Sequence, residues 1–166
     1  MALQEFLIKN AGGNCYVTVN GVPAAGASLW SQPYNGGPAQ QWIPVQYPGN
    51  DPGDTGGVVC ALFSAGTSGT PNLVITASNC GEAVTLQPFQ PGNLYQLWAY
   101  WGIGATTTTF LNLASACMLD LQNRLCSGGR IQTYSPNGTS AQSWTIISAD
   151  EAAEISDASA LPGADA

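Results

Sequence analysis

Apolar and β-branched residues recur along this chain in runs of three to five, separated by turn-forming residues. A first group comprises Phe6-Leu7-Ile8, Tyr16-Val17-Thr18-Val19 and Ala27-Ser28-Leu29-Trp30. A second comprises Val58-Val59-Cys60-Ala61-Leu62, Leu73-Val74-Ile75-Thr76 and Val84-Thr85-Leu86-Gln87. A third comprises Phe110-Leu111-Asn112-Leu113, Met118-Leu119-Asp120-Leu121 and Ile131-Gln132-Thr133-Tyr134. Asn20-Gly21, Asn35-Gly36-Gly37, Gly92-Asn93 and Asn137-Gly138 punctuate them. Runs this short between such breakers predict strands and tight turns rather than helices. Each group closes on the same pattern: Gln40-Gln41-Trp42, Gln96-Leu97-Trp98 and Gln142-Ser143-Trp144. The tryptophans are 56 and 46 residues apart, and the chain has only five, so the pattern marks an internal repeat.

Each tryptophan opens a fourth run, such as Trp144-Thr145-Ile146-Ile147. Four strands in each of three units predict about twelve strands and an all-β domain over residues 1–149. The units span about 5–48, 57–101 and 107–148. One unit cannot bury its apolar face alone, so the three are expected to close around a shared axis. Closure also removes sheet edges, which a chain with few charges is poorly equipped to guard. The repeated tryptophans then fill the core and each repeated glutamine ties down its neighbouring loop. Asn50–Gly57 resembles a calcium loop but lacks the ligand spacing and closing Glu, so it reads as a linker. Thr106–Thr109 reads as a β-prone run opening the third unit.

Composition narrows the function. Apolar residues make up 45% of the 166, which excludes a disordered chain, and that length suits one domain. Charged residues make up only 8%, so solubility rests on uncharged polar groups. The net charge of −7 argues against nucleic acid as a partner. Five of the ten acids (Asp150, Glu151, Glu154, Asp157 and Asp165) fall in residues 150–166, which read as a flexible acidic tail. A short, weakly stable helix over Asp150–Ile155 is the alternative there. Histidine is absent, which removes Ser-His-Asp, Cys-His and histidine–metal chemistry. No run of 18 apolar residues exists, so no membrane insertion is expected. Met1 leads within five residues into a strand-like run, so no signal peptide is visible. Localisation stays open between the cytoplasm and secretion with the signal removed.

The five cysteines form no CxxC pair. Cys117 and Cys126 flank a segment that a disulfide would close as a hairpin. Cys60 and Cys80 would close a second loop, leaving Cys15 free. The alternative is five separate buried thiols.

Three Gln-x-Trp units at this spacing resemble the ricin B-type lectins over roughly residues 5–148. The resemblance implies a β-trefoil with pseudo-threefold symmetry that binds glycans of the galactose or N-acetylgalactosamine type, with no metal, cofactor or catalysis. Glycans on glycoproteins or glycolipids would be its partners, with homodimerisation as an added route to avidity. Active members combine an acid on the second strand, an aromatic on the third and amides from the following loop. The aromatic face takes the sugar's C–H flank, the carboxylate takes paired hydroxyls, and an amide both donates and accepts. In the third unit these places fall to Asp120, Tyr134, Gln132, Asn137 and Gln142. In the first, Trp30, Asn35 and Gln40 match, with Thr18 where the acid should stand, a weaker partner. The second unit offers Thr76 and Gln87 and reads as structural.

Two features of the third unit depart from that pattern. Ala141 precedes the Gln-x-Trp glutamine where active members often have Asn. Asn137-Gly138-Thr139 is also a glycosylation sequon, and a glycan there would obstruct the site. Asp120 has a structural alternative, an ion pair with Arg124 or Arg130. Competing functions are a β-trefoil protease inhibitor acting through a loop at 47–57 or 87–94, and the targeting module of a larger glycosidase. Inhibition of agglutination by free sugar separates a lectin from an inhibitor.

Overall fold

The computed structural model describes residues 5–47, 58–66, 72–100 and 107–160. Within them the first unit supplies β1 (Leu7–Asn10), β2 (Tyr16–Val19), β3 (Leu29–Gln32) and β4 (Trp42–Gln46). The second supplies β5 (Val58–Ser64), β6 (Leu73–Thr76), β7 (Thr85–Pro88) and β8 (Trp98–Tyr100). The third supplies β9 (Phe110–Asn112), β10 (Met118–Leu121), β11 (Ile131–Tyr134) and β12 (Trp144–Ile147). All three fourth strands begin at the Gln-x-Trp tryptophan, as the repeat predicts. The observed strands differ from the predicted runs mainly by a residue or two at β1, β3 and β7. The expected linker at 50–57, residue 106 and the unit ends at 48, 57 and 101 lie outside the described residues.

Antiparallel pairing builds a closed barrel from the first and fourth strands of each unit. β12 pairs with β1, β4 with β5, β5 with β8 and β8 with β9. Bridges from Phe6 to Trp42 and from Thr108 to Trp144 complete the ring. The hairpins β2–β3, β6–β7 and β10–β11 form a triangular cap. Bridges Ser28–Thr85, Ala83–Gln132 and Trp30–Arg130 join its three corners. This is the pseudo-threefold trefoil architecture.

One apolar cluster draws on all three units and holds Ile8, Val17, Leu62, Ile75, Leu119 and the three repeated tryptophans. Trp42, Trp98 and Trp144 are 0%, 0% and 1% exposed. An indole this deep needs a partner for its N–H. Each finds the carbonyl of a second strand: Trp42 donates to Val17 (3.0 Å), Trp98 to Ile75 (3.1 Å) and Trp144 to Leu119 (3.0 Å).

The cysteine pairing differs from both sequence expectations. Cys15 joins Cys126 and Cys80 joins Cys117, while Cys60 is the buried free thiol. Neither a Cys117–Cys126 hairpin closure nor a Cys60–Cys80 loop forms, because Cys60 lies inside β5 with its side chain in the core. Burial also pushes its thiol far above the ordinary range, leaving it inert. The two bridges are copies of one another under the threefold. Cys15 and Cys117 each precede a second strand, and each reaches the hairpin loop of the preceding unit. Both therefore link units, which pattern within one unit cannot reveal.

Residues 149–160 follow the helical alternative rather than the flexible tail, over a longer span than Asp150–Ile155: α1 spans Ala149–Ala160. Ser148 Oγ caps it by accepting from the Glu151 N–H (3.2 Å), and Asp150 and Glu151 suit the positive end of the helix dipole. Ala152 is buried against Leu7, Tyr16 and Ile147, with Ala149 and Ile155 beside it. That contact supplies the stability which a short helix lacks alone.

Because the three indoles share one core, any one is expected to be indispensable. Trp98→Ala should lower unfolding stability by about 3–5 kcal/mol in chemical denaturation. A loss under about 1 kcal/mol would mean that the indole does not hold the barrel.

Candidate functional site

The same polar bridge appears in every unit, one residue beyond the indole's acceptor. Gln40 Nε2 donates to Thr18 Oγ1 (3.1 Å) and the Pro33 carbonyl (2.8 Å), while its Oε1 accepts from the Asn35 N–H (2.9 Å). Gln96 repeats this with Thr76 (3.2 Å), Pro88 (2.9 Å) and the Gln90 N–H (2.8 Å). Gln142 repeats it with Asp120 Oδ2 (3.1 Å), Ser135 (2.9 Å) and the Asn137 N–H (3.0 Å). A buried primary amide has two hydrogens to place, and each of these places both.

Gln40 and Gln142, expected to touch sugar, are therefore buried struts whose amide hydrogens are already committed. Their part is to hold the loop and the second-strand side chain in fixed positions.

Only the third unit puts a carboxylate in that place. Asp120 is 4% exposed, and its second oxygen accepts from Gln132 Nε2 (2.9 Å). Arg130 Nη2 donates in turn to Gln132 Oε1 (2.6 Å) and the Gly81 carbonyl (2.9 Å). Arg130 thus acts on Asp120 through Gln132 rather than by an ion pair. Each carboxylate oxygen keeps acceptor capacity beyond its one glutamine bond.

Asp120 lies in a groove of about 370 Å³ whose lining also includes Gln132, Tyr134, Asn137, Asn123 and Arg124. Tyr134 is 50% exposed at the end of β11, offering a ring face to solvent. Asn137 Oδ1 accepts from the Thr139 N–H (3.0 Å) and Oγ1 (2.8 Å), which fixes the amide at the groove edge. The structure thus brings Asp120, Gln132, Tyr134 and Asn137 to one groove, with Gln142 behind it.

The first unit differs from its sequence assignment in register. Thr18 pairs with Trp30 across β2–β3, as Asp120 pairs with Gln132 across β10–β11. Trp30 is thus the counterpart of Gln132, and Gln32, opposite Tyr16, is the counterpart of Tyr134. The apolar run Ala27–Trp30 hid this two-residue slip. Thr18 is buried and donates to its own strand at the Tyr16 carbonyl (2.9 Å). Asn35 is exposed and accepts from the Gly37 N–H (2.7 Å).

The second unit contains a hollow that the sequence reading missed. Thr76, Ser78, Asn79, Asn93 and Tyr95 line about 290 Å³, with Tyr95 41% exposed. This aromatic comes from the residue before Gln96, a place where the other units have Ala39 and Ala141. A search for aromatics on third strands passes over it. The sequence reading also missed the rim residue Asn123, and it named Arg124 only as a candidate ion-pair partner of Asp120.

No protein-family model matches the sequence, and no curated protein matches it either. Solved structures do match in shape. The designed threefold-symmetric protein ThreeFoil superposes at a TM-score of 0.69 and 22% identity, covering 86% of this chain and 97% of that one. The C-half of the earthworm R-type lectin, solved with GalNAc, gives 0.63 and 22%, covering 87% and 98%. The fold is a β-trefoil. An exo-β-1,3-galactanase from Clostridium thermocellum contains a similar trefoil, at 0.66 and 19% identity, covering 87% of this chain and 30% of that one.

The strut arrangement yields a pH-dependent test. Gln142→Glu sets a second carboxyl against Asp120, so one of the pair must take up a proton in the folded state. Its folded pKa then lies above the unfolded value. The variant should approach the parent's stability near pH 4 and lose roughly 2–4 kcal/mol relative to it by pH 7. Equal stability loss at both pH values in urea unfolding would refute the proposed contact.

Proposed function

We propose that the third-unit groove binds a glycan of the galactose or N-acetylgalactosamine type, without catalysis. The carrying observation is a carboxylate held by two glutamine amides at the floor of an open groove with a half-exposed tyrosine. Asp120 would accept from two neighbouring sugar hydroxyls, and Tyr134 would cover the sugar's C–H flank. The Asn137 amide would donate to a third hydroxyl. Gln132 and Gln142 pre-orient the carboxylate, so little ordering is left for binding to supply. Support from outside the chain is the shared fold of the earthworm lectin solved with GalNAc.

A binding rather than hydrolytic role follows from the acids. Glycoside hydrolysis ordinarily needs two carboxyl groups across the scissile bond, and among the described residues Asp120 is the only acid lining the groove. The galactanase likeness favours a second reading, a module that holds a catalytic domain on its polymer. Both readings share the sugar-binding groove. Glycans on glycoproteins or glycolipids would be the natural partners, and self-association would add avidity to weak sites.

Open sites of this size should bind one sugar near millimolar strength, about −4 kcal/mol. At that level one charge-assisted pair, roughly 1.5–3 kcal/mol, decides whether binding is measurable. Titration of a simple galactoside should show Asp120→Ala removing most binding, Tyr134→Ala nearly as much and Trp30→Ala little. Asp120→Ala binding like the parent while Trp30→Ala fails would move the function to the first unit. EDTA should leave binding intact, since among the described residues no three metal-ligating side chains cluster. Loss on chelation with recovery on adding calcium would overturn that expectation.

A further inference from the structure

We infer that the groove selects glycans carrying an anionic substituent, a carboxylate or a sulfate, through Arg124. This inference rests on the sugar-binding reading of the same groove and names the class of sugar.

The chain has three basic side chains in 166 residues. Lys9 Nζ donates to the Asn10 carbonyl (3.2 Å), and Arg130 is committed to Gln132 and Gly81. Arg124 has no hydrogen-bond or ion-pair partner among the described residues, and it lines the groove beside Asn123 and Gln122. The one basic side chain left uncommitted among the described residues thus stands at the edge of the candidate site. A neutral sugar can offer it hydroxyl oxygens but no opposite charge.

Its backbone supports a fixed position. Asn123 and Arg124 have φ of 56° and 55°, a left-handed pair that is uncommon for Asn and rarer for Arg. Such conformations persist where surroundings over-determine them, and they gather at ligand-clamping loops. The surroundings here are explicit. The Gln122 N–H donates to Arg130 (3.0 Å) and the Leu125 N–H to Gln122 (3.3 Å). Ser31 Oγ donates to the Leu125 carbonyl (2.6 Å), and Cys126 is bridged to Cys15. A Cβ at Gly129 would collide with the Leu125 carbonyl, so glycine is what lets the loop close this tightly.

The chemistry is complementary. The Asp120 carboxylate accepts hydroxyls and repels an anion, while the guanidinium at the rim donates in the fork geometry that suits carboxylate and sulfate. One ring over the carboxylate and an acidic substituent toward Arg124 satisfies both. The chain's net negative charge opposes this only weakly, because physiological salt screens beyond about 8 Å.

The test is calorimetric titration of four sugars: lactose, lactose sialylated at O3 or at O6 of galactose, and lactose sulfated at O3. The parent should bind at least one charged sugar about 3- to 10-fold tighter than lactose, and 0.5 M NaCl should shrink that preference. Whether sialylated or sulfated forms gain more identifies the anion. Arg124→Gln should bring the charged-to-neutral ratio to about one, and Arg124→Lys should retain part of the preference. Circular dichroism checks that each variant is folded. Lactose binding with no preference for charged sugars, or a preference that survives Arg124→Gln, overturns the inference and leaves the sugar-binding reading standing. Binding of none of the four overturns both.

Discussion

The constraint on which this fold rests is that a buried glutamine and a buried tryptophan must satisfy every N–H they carry. Leaving one buried donor unpaired costs about 1–3 kcal/mol, a large part of a domain's stability. Within each unit the indole donates to one second-strand residue and the amide to the next: Val17 and Thr18, Ile75 and Thr76, Leu119 and Asp120. The pair therefore bolts the fourth strand to the second across the core. It also fixes the loop between third and fourth strands, whose carbonyl and N–H complete the amide's needs. Barrel, cap and the loop between third and fourth strands are set by one two-residue spacing.

The cap hairpins meet through single bridges and a few hydrogen bonds, and a covalent restraint adds to these. The two disulfides provide it at two of the three junctions between units. In the chain-entropy account, closing loops as long as 37 and 111 residues stabilises by about 4–5 kcal/mol each. Their placement bears on function too. Cys126 lies two residues past Arg124, and Cys117 immediately precedes the strand that carries Asp120. Both restraints thus converge on the third unit, whose groove has the most chemistry to keep in register.

Strand positions and the shared core were legible because both follow from local period and from a repeat counted in the sequence. Trp42, Trp98 and Trp144 needed only their spacing to be placed together. Asp120 stands out in the sequence as a candidate because a carboxylate in an apolar strand demands partners. What the sequence hid depends on loop length and contacts between units. The equal spans from Thr18 to Trp30 and from Asp120 to Gln132 set the register, yet the eye follows the apolar run. Cys15–Cys126 crosses from the first unit to the third, which no spacing within a unit implies. The α1 segment looked like a solvated tail because its charges are obvious, whereas the apolar surface awaiting Ala152 belongs to β1, β2 and β12. Gln40 and Gln142 fit the sugar-contact places that the family resemblance implies, and only burial and their hydrogen bonds show that their amides are already committed.

The repeated amide also explains how three identical scaffolds carry different chemistry. Glutamine Nε2 can donate to either a hydroxyl or a carboxylate oxygen, so the second-strand position can be Thr18, Thr76 or Asp120 without breaking the bolt. The N–H to oxygen distances, 3.1, 3.2 and 3.1 Å, scarcely change among them. Threonine closes the arrangement on itself, because its hydroxyl proton returns to its own strand at Tyr16 and Val74. Aspartate has no proton to return. It has a second oxygen instead, which brings in Gln132 and through it Arg130, and it retains acceptor capacity toward the groove. One side chain thereby separates a structural unit from a candidate binding unit, at a position where the fold itself is indifferent.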